Sequence, residues 1–470
     1  MERRKLLSPR VTTKQFRHRI IQISNSDKQS SSSLIYAAFD RFPSSKGAAT
    51  HIDAFVSALG QKFGNVNLLT IPSETAELQH AGSTPLDSNQ ADRRARVDWT
   101  PEPNWNASGV EHYPLPAYGN HVFERTLSFR REVERWWQSH MNSNRAAVFH
   151  FRSIFEGYPI ALNKGRYCRK LVFEVNGLPS IELKYRYPAA ADDRELLQKL
   201  RHQEQVCLDA ADLIVTVSQV NADHLMERGV ASNRIRIIRN GVDLRIFHCR
   251  SRPPGFENRP SDEPIKMLYC GTMSAWQGVP HAIEAVSLLR RDHPATLTLV
   301  GPARPRQRRE IQDQCEKSGV SEFVNVLQPV TKSELIRLHH EADVILAPIT
   351  RNDRNIVQGC CPLKVLEAMA SGTPLIASDL PVVRELVDHD TEALLVRPGC
   401  GKAIKDGVLR LLKEPHLAKT ISTAAARRAT AEFSWPRAQA ELISVYESLL
   451  NDPESRPSSK GLSRAASAAS

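Results

Sequence analysis

Cys361-Pro362-Leu363-Lys364-Val365-Leu366-Glu367-Ala368-Met369-Ala370-Ser371-Gly372-Thr373-Pro374-Leu375-Ile376-Ala377-Ser378-Asp379 reads as a loop, a short helix, a glycine stop and a buried strand. Pro362 suits the first helical turn, where a missing N–H costs nothing, and Gly372 suits the position just past the end. A helix that starts beside the carboxyl end of a strand binds anions, because its free N–H groups and its dipole favour phosphate. Lys364 falls in the first turn, where the dipole alone disfavours a cation. Glu367 follows one turn later on the same face. A phosphate-facing Lys with a carboxylate placed for sugar hydroxyls is the chemistry of a bound nucleotide. Spacing alone fits an amphipathic helix with a solvated Lys and Glu equally well.

Alternating strands and helices fill both halves of the chain. In the first half the strands expected are Leu34–Phe39, Val66–Ile71, Ala146–Phe151, Lys170–Val175 and Leu213–Val217, and Thr50-x-x-Asp53 resembles a capping box opening a helix. Residues 72–110 lose the rhythm and read as an insertion or long loop. In the second half the strands expected are Met267–Tyr269, Thr296–Val300, Val324–Leu327, Val344–Leu346, Leu375–Ser378 and Ala393–Val396. Such alternation predicts parallel, doubly wound sheets. Gly271-Thr272 ends the first strand of the second half, and a glycine there permits close backbone approach to a phosphate. Glu174-Val175-Asn176-Gly177 and Glu182-Leu183-Lys184-Tyr185 are dense in polar groups and suit an acceptor side. His339-His340 lies in a helical pattern with no partner at metal spacing, so a surface position is expected. Lys46-Gly47 is not a phosphate-binding Walker loop, since the preceding glycine is missing.

Three ordered motifs carry a resemblance. The run Glu367 to Pro374 is followed by Glu385-Leu386 and by Leu395-Val396-Arg397-Pro398-Gly399. Arg239-Asn240-Gly241-Val242-Asp243, with Phe247 after it, closes the first half. Lys46-Gly47-Ala48-Ala49-Thr50-His51 opens it. Together they resemble the signature of retaining GT-B glycosyltransferases of family four, over roughly residues 33–450. The resemblance implies an α/β GT-B fold: two Rossmann-like, doubly wound parallel-sheet domains facing a cleft. On this reading residues 1–32 are a basic and Ser-rich disordered arm and 33–247 the acceptor domain. Residues 248–264 are a linker, 265–432 the nucleotide-sugar donor domain, 433–450 a closing helix returning to the first domain, and 451–470 a disordered tail.

What the resemblance implies for individual residues follows the motifs. Glu367 inherits the ribose contact. The family places a second glutamate eight positions earlier, against the donor sugar, but Gly359 stands there. Backbone N–H groups near Gly359, Cys360 and Cys361 are then expected to make that contact. The family usually has a Lys where Gln277 stands, so Lys364, Arg351 and Arg354 become the candidates to neutralise the diphosphate, while Gln277 alternatively caps the next helix. The donor side is thus expected to comprise Gly47, Gly271, Thr272, Gln277 and Arg354 together with Gly359, Cys360 and Cys361, and the helix start Lys364, Val365, Leu366 and Glu367. His150 matches a family histidine and Arg152 a place where a second one is frequent. With Lys364 they are the catalytic candidates, although a lone His at a strand end is more often structural. Lys46, Asn176 and Glu182 are expected on the acceptor side.

Bulk properties bound the reading. The chain has 470 residues, more than one core usually supports. Its 41% hydrophobic and 24% charged content is that of an ordinary globular protein. Eight scattered Cys with no C-x-x-C pair suggest neither zinc nor a disulfide framework and fit a reducing cytoplasm. No run approaches the ~20 apolar residues of a membrane span, and no signal-peptide core opens the chain. The net charge of +11 is concentrated at residues 1–20, which hold Arg3, Arg4, Lys5, Arg10, Lys14, Arg17 and Arg19 against Glu2. That arm reads first as a solvated tail. Peripheral contact with an anionic membrane is the second reading, because many enzymes of this resemblance use lipid-linked acceptors. Nucleic acid is disfavoured, since only Phe16 interrupts the charges and no nucleic-acid fold follows.

The expected function is transfer of a hexose from a UDP- or GDP-sugar to a glycan, lipid-linked or small-molecule acceptor, with retention and with neither cofactor nor obligatory metal. The alternatives are a non-catalytic sugar-nucleotide-binding protein, suggested by Gln277 and Gly359, and a nucleotide-sugar epimerase on the same fold.

Overall fold

The structure, a computed structural model, describes residues 33–44, 46–73, 105–141, 144–250, 256 and 259–451. The expectations for the basic arm and the C-terminal tail, and for most of the 72–110 insertion, lie outside the described residues. None of the described helices is long and apolar enough to cross a membrane.

Two parallel sheets organise the chain. The first holds β1 (Leu34–Arg41), β2 (Val66–Ile71), β3 (Val110–Pro114), β4 (Ala146–Phe151), β5 (Cys168–Val175), β6 (Leu213–Thr216) and β7 (Ile235–Ile237), in the order β3-β2-β1-β4-β5-β6-β7. The second holds β8 (Ile265–Cys270), β9 (Ala295–Val300), β10 (Val324–Leu327), β11 (Val344–Ala347), β12 (Leu375–Ser378) and β13 (Leu394–Val396), in the order β10-β9-β8-β11-β12-β13. The strand interiors are nearly continuous apolar runs, as expected of sheets covered on both faces. The order reverses between β1 and β4 and between β8 and β11, so each sheet opens a crevice at those strand ends. β3 and β7 are edge strands that periodicity did not reveal. β3 carries charge and ends in Pro114, and β7 has only three residues, so neither holds an apolar run.

The halves are more interlocked than a free linker implies. Val242 and Phe247 already pack in the second domain's core. Within the expected linker, the Arg250 N–H donates to Ser371 O at 2.9 Å and its Nη1 to Ala342 O at 3.0 Å. Phe256 is buried in the second core as well. At the other end the helix Trp435–Asn451 returns to the first domain. Its Leu442 and Tyr446 pack with Ile52 and Phe55 of the first helix, Gly47–Phe63. Gln439 donates to Ala54 O at 2.7 Å.

His339 departs from its expected surface position. The helix Lys332–Glu341 turns it inward, fully buried and edge-on to Phe247. Burial lowers its imidazole pKa to about 3, which leaves it a neutral packing group.

Candidate active site

The strand ends at the two reversals face one another across a cleft of about 500 Å³ lined by both domains. Its second-domain wall includes the start of the Cys361–Asp379 segment. Pro362 is the N-cap residue rather than part of the first turn, the helix runs Leu363–Ser371, and Gly372 ends it in a left-handed conformation. Lys364 and Glu367 both line the cleft, one turn apart. Val365 and Leu366, expected on the donor side, turn fully into the apolar core instead. A helix lying on a sheet must give one face to the core, and these two positions are on it.

Lys364 is buried and held at three points. Its Nζ donates to Tyr269 Oη at 2.9 Å and to Gln277 Oε1 at 2.5 Å, and lies 4.1 Å from the centre of the Tyr269 ring. Gln277 therefore does not cap the next helix, whose N-cap is Gly278. It orients the ammonium that stands beside it, so a cation reaches this place from position 364 rather than 277. Gly271 makes room for it. Its φ is +146°, and a Cβ there would stand 2.9 Å from Lys364 Nζ. Desolvation pushes Lys364 down to about 7 against the pull of Cys270 and Glu367. Desolvation likewise pushes Glu367 up to about 7, opposed by Lys364.

Of the other expected donor residues, Gly47, Thr272, Arg354, Cys360 and Cys361 also line the cleft. Arg354 is partly committed, with Nε 2.9 Å from Glu182 Oε1 and its guanidinium over the Trp276 ring. Arg351 is exposed and is not among the lining residues.

Gly359 contradicts its expected role. Its N–H donates to Arg354 O at 3.1 Å and is not free for a sugar. It is buried against the first domain, where a Cβ would meet Asn221 N and Ser218 Oγ at 2.7 Å. At φ +80° and ψ 166° the backbone is also in a region essentially reserved for glycine. Gly359→Ala should therefore cost about 1–3 kcal/mol of stability, read as a lower urea midpoint. An unchanged midpoint would contradict this packing.

The first-domain wall is organised around Glu174, which is fully buried. It accepts from Tyr36 Oη at 2.6 Å and from Arg152 Nε at 2.7 Å, and also from Asn176 Nδ2. His150 Nε2 lies 3.0 Å from it and His51 Nε2 3.1 Å. Burial alone would raise this carboxyl, but the electrostatic pull of His51 and Arg152 and the His150 hydrogen bond hold it well below the usual carboxylate range. His150 is itself buried, 2.6 Å from Tyr446 Oη on the closing helix, and does not reach the cleft. Its catalytic assignment gives way to a positioning one: it sits behind the carboxylate that fixes Arg152. Arg152, Asn176 and Lys46 do line the cleft. Glu182, expected to touch the acceptor, is engaged across the cleft by Arg354 and by Gln358 Nε2 at 2.9 Å.

His51 and Asn240, from two separate motifs, join the site although no spacing in the sequence pairs them. His51 Nδ1 lies 2.7 Å from Asn240 Oδ1, and Asn240 Nδ2 donates to Cys361 O at 2.8 Å. The start of the first helix, the Arg239–Asp243 motif and the donor loop thus meet at one point. The Glu385-Leu386 motif has a similar purpose. Glu385 accepts the N–H groups of Gln219 and Val220 at 2.8 and 3.0 Å and pairs with Arg239 at 3.1 Å, clasping one domain to the other.

This geometry coincides with a family. Residues 45–246 match Glycosyltransferase Family 4 and residues 255–428 match Glycosyl transferases group 1. The chain belongs to the group 1 glycosyltransferases of the GT-B fold. It is 30% identical over 238 residues to a glycogen synthase of Mycobacterium tuberculosis, a match covering 50% of this chain and 54% of that one. It is 29% identical over 251 residues to an MMP α-(1→4)-mannosyltransferase of Mycolicibacterium hassiacum, covering 52% and 56%. The match therefore spans about half the length of these relatives. Among solved structures, sucrose-phosphate synthase of Thermosynechococcus elongatus superposes with TM-score 0.67 at 18% identity, covering 89% of this chain and 99% of that one. HepE of Anabaena, solved with UDP-glucose, gives 0.62 at 14%, covering 88% and 99%.

Proposed function

We propose that this chain transfers a hexose from a nucleotide-diphosphate sugar to a glycan, lipid-linked or small-molecule acceptor, with retention of anomeric configuration. The observation that carries the reading is the Lys364 ammonium fixed against Gln277 and Tyr269 in the cleft, with Glu367 one turn away. In this assignment Lys364 meets the diphosphate and Glu367 the ribose hydroxyls. The bond from sugar C1 to the β-phosphate oxygen breaks as the acceptor oxygen bonds to C1 from the same face. The acceptor's proton passes to the departing phosphate oxygen. Lys364 stabilises the charge that grows there, which is where a fixed cation accelerates such a step. Arg152, immobilised by Glu174, and Lys46 border the place where donor sugar and acceptor meet. The UDP-glucose bound to HepE supports UDP as the first nucleotide to test, with GDP as the comparison. A cytoplasmic location, where such donors are made, fits the eight unpaired Cys.

A thermal-shift screen of UDP- and GDP-sugars tests the donor, since a ligand of the native state raises apparent stability. Labelled donor then separates the activities. Sugar transfer or donor hydrolysis supports the reading; an epimerised donor, or binding without turnover, assigns the chain to the alternatives. Glu367→Gln should weaken donor binding by about 1.5–3 kcal/mol, the worth of hydrogen bonds to a charged group. Undiminished affinity in a folded variant would remove Glu367 from the site.

The depressed Lys364 also predicts proton linkage. At pH 8 the donor-free Lys364 is mostly neutral and Glu367 mostly ionised, given values of about 7 for each. A bound diphosphate favours the ammonium, so binding of UDP should take up as much as about one proton. Affinity should then weaken as pH rises above 7. Calorimetry in buffers of different ionisation enthalpy reads the uptake, and its persistence in Lys364→Met would assign it elsewhere.

A further inference from the structure

Next to the donor cleft, and sharing Lys46, Arg152, Asn176, Trp276 and Arg354 with it, lies a second lobe of about 560 Å³. Its walls come mostly from the first domain, and its charge is lopsided. Arg41, Lys46, Arg125, Arg152, Arg186 and Arg354 face only two carboxylates, Asp40 and Glu182. Both carboxylates are already engaged: Asp40 lies 3.0 Å from Arg152, and Glu182 lies 2.9 Å from Arg354. The positive surplus on this wall is therefore not neutralised by the lobe's own carboxylates.

Two of the cations stand out. Arg125 sits in the first turn of the helix Val122–His140, where the helix dipole disfavours a positive charge. It is half-buried, and its Nε–H donates to Ala117 O at 3.1 Å, which aims the guanidinium without neutralising it. Arg186 ends the helix Pro179–Arg186 on the other side of the lobe, with its guanidinium 5.4 Å from the Tyr187 ring centre. Among the described residues neither Arg125 nor Arg186 forms an ion pair. Phe39, Ile71, Phe155 and Leu183 line the same space and offer apolar surface. A concave site with low-dielectric walls and one sign of charge concentrates a ligand of the opposite sign. Planar guanidinium forks suit phosphate and carboxylate oxygens in particular.

We propose that the acceptor carries a phosphate or carboxylate group, held by Arg125 and Arg186 in this lobe while its nucleophilic hydroxyl reaches the shared wall at Arg152 and Asn176. The proposal rests on the transferase reading of the cleft. It names the acceptor by chemistry: a sugar or polyol bearing an acidic group, or the phosphate end of a lipid-linked acceptor. Lys46, at the lobe's junction with the cleft, adds charge between the two anions and keeps donor and acceptor from repelling each other.

The test uses the full chain saturated with UDP, so that the diphosphate positions are occupied, and calorimetric titration of four probes. Glucose 6-phosphate and glucuronate represent soluble acidic acceptors, geranyl phosphate represents a lipid-linked one, and glucose is the neutral control. At least one charged probe should bind about tenfold or more tighter than glucose, and both Arg125→Met and Arg186→Met should weaken it by about tenfold. UDP affinity should stay unchanged in both variants. Arg186 is exposed, so its replacement leaves the fold intact even if that of Arg125 loosens the Ala117 loop. Tighter binding of geranyl phosphate assigns the lipid-linked source, and tighter binding of glucose 6-phosphate or glucuronate the soluble one. Glucose binding as tightly as every charged probe, no binding of any charged probe, or wild-type affinity in both variants would overturn the proposal. Failure of the wild type to bind either UDP or GDP would instead overturn the donor reading beneath it.

Discussion

Lys364→Met lowers the transfer rate by about a hundred- to a thousandfold, the effect of removing one preorganised group from a developing anion. The substitution keeps the aliphatic stem, so packing beneath Tyr269 survives and the loss reports charge. UDP affinity falls by a smaller factor, because the diphosphate carries more charge in the transition state than in the bound donor. Steady-state kinetics over a range of donor concentrations separate the two. Equal losses in rate and affinity would mean that Lys364 only holds the ground state. The burial of this Lys makes the effect large. Its ammonium has Tyr269, Gln277 and the edge of Gly271 around it, leaving little space for water to screen it.

Glu174→Ala destabilises the protein by about 3–5 kcal/mol, the cost of breaking a buried ion pair by removing one partner. Arg152 would keep only Asp40, which is 42% exposed and therefore a weak substitute. His150 and the hydroxyl of Tyr36 would lose an acceptor in a closed core. The pH dependence has a definite sign. The folded carboxyl titrates below its unfolded counterpart, so its contribution is complete above the unfolded value of about 4.3. It disappears as pH falls from there toward the folded value. Urea midpoints should therefore differ most between wild type and variant near neutrality and converge in acid. Equal midpoints at pH 7 would contradict the central place given to Glu174.

Most of the architecture could be read from the residues. Continuous apolar runs separated by helical spacing located the strands of both sheets, apart from the two edges of the first. β3 escaped because Glu111, His112 and Pro114 interrupt its apolar pattern, and β7 because three residues establish no period. Within the site, Lys364 and Glu367 were legible because one helical turn puts them on one face, whereas Val365 and Leu366 entered the donor set only through the family's helix start. Their place in the core depends on which side of the helix meets the sheet. The Gly359 loop was read through a family pattern and assigned to the donor. The backbone instead turns the residue toward Ser218 and Asn221, more than a hundred positions earlier in the chain. Contacts between distant segments also decide Glu174, whose polar run suited the acceptor side but which is fully buried beneath Arg152. Its partners come from β1 (Tyr36), the first helix (His51) and the end of β4 (His150 and Arg152), and no spacing in the sequence brings them together.

The donor site depends on a cation delivered from position 364 to a place beside Gln277. Calorimetric titration of UDP and GDP into wild type, Lys364→Met and the double variant Lys364→Met/Gln277→Lys tests it most directly. Moving the charge to the neighbouring position should restore at least half of the binding free energy that the single variant loses, because the two side chains meet at 2.5 Å. Binding of both nucleotides by Lys364→Met as tightly as by the wild type would contradict it.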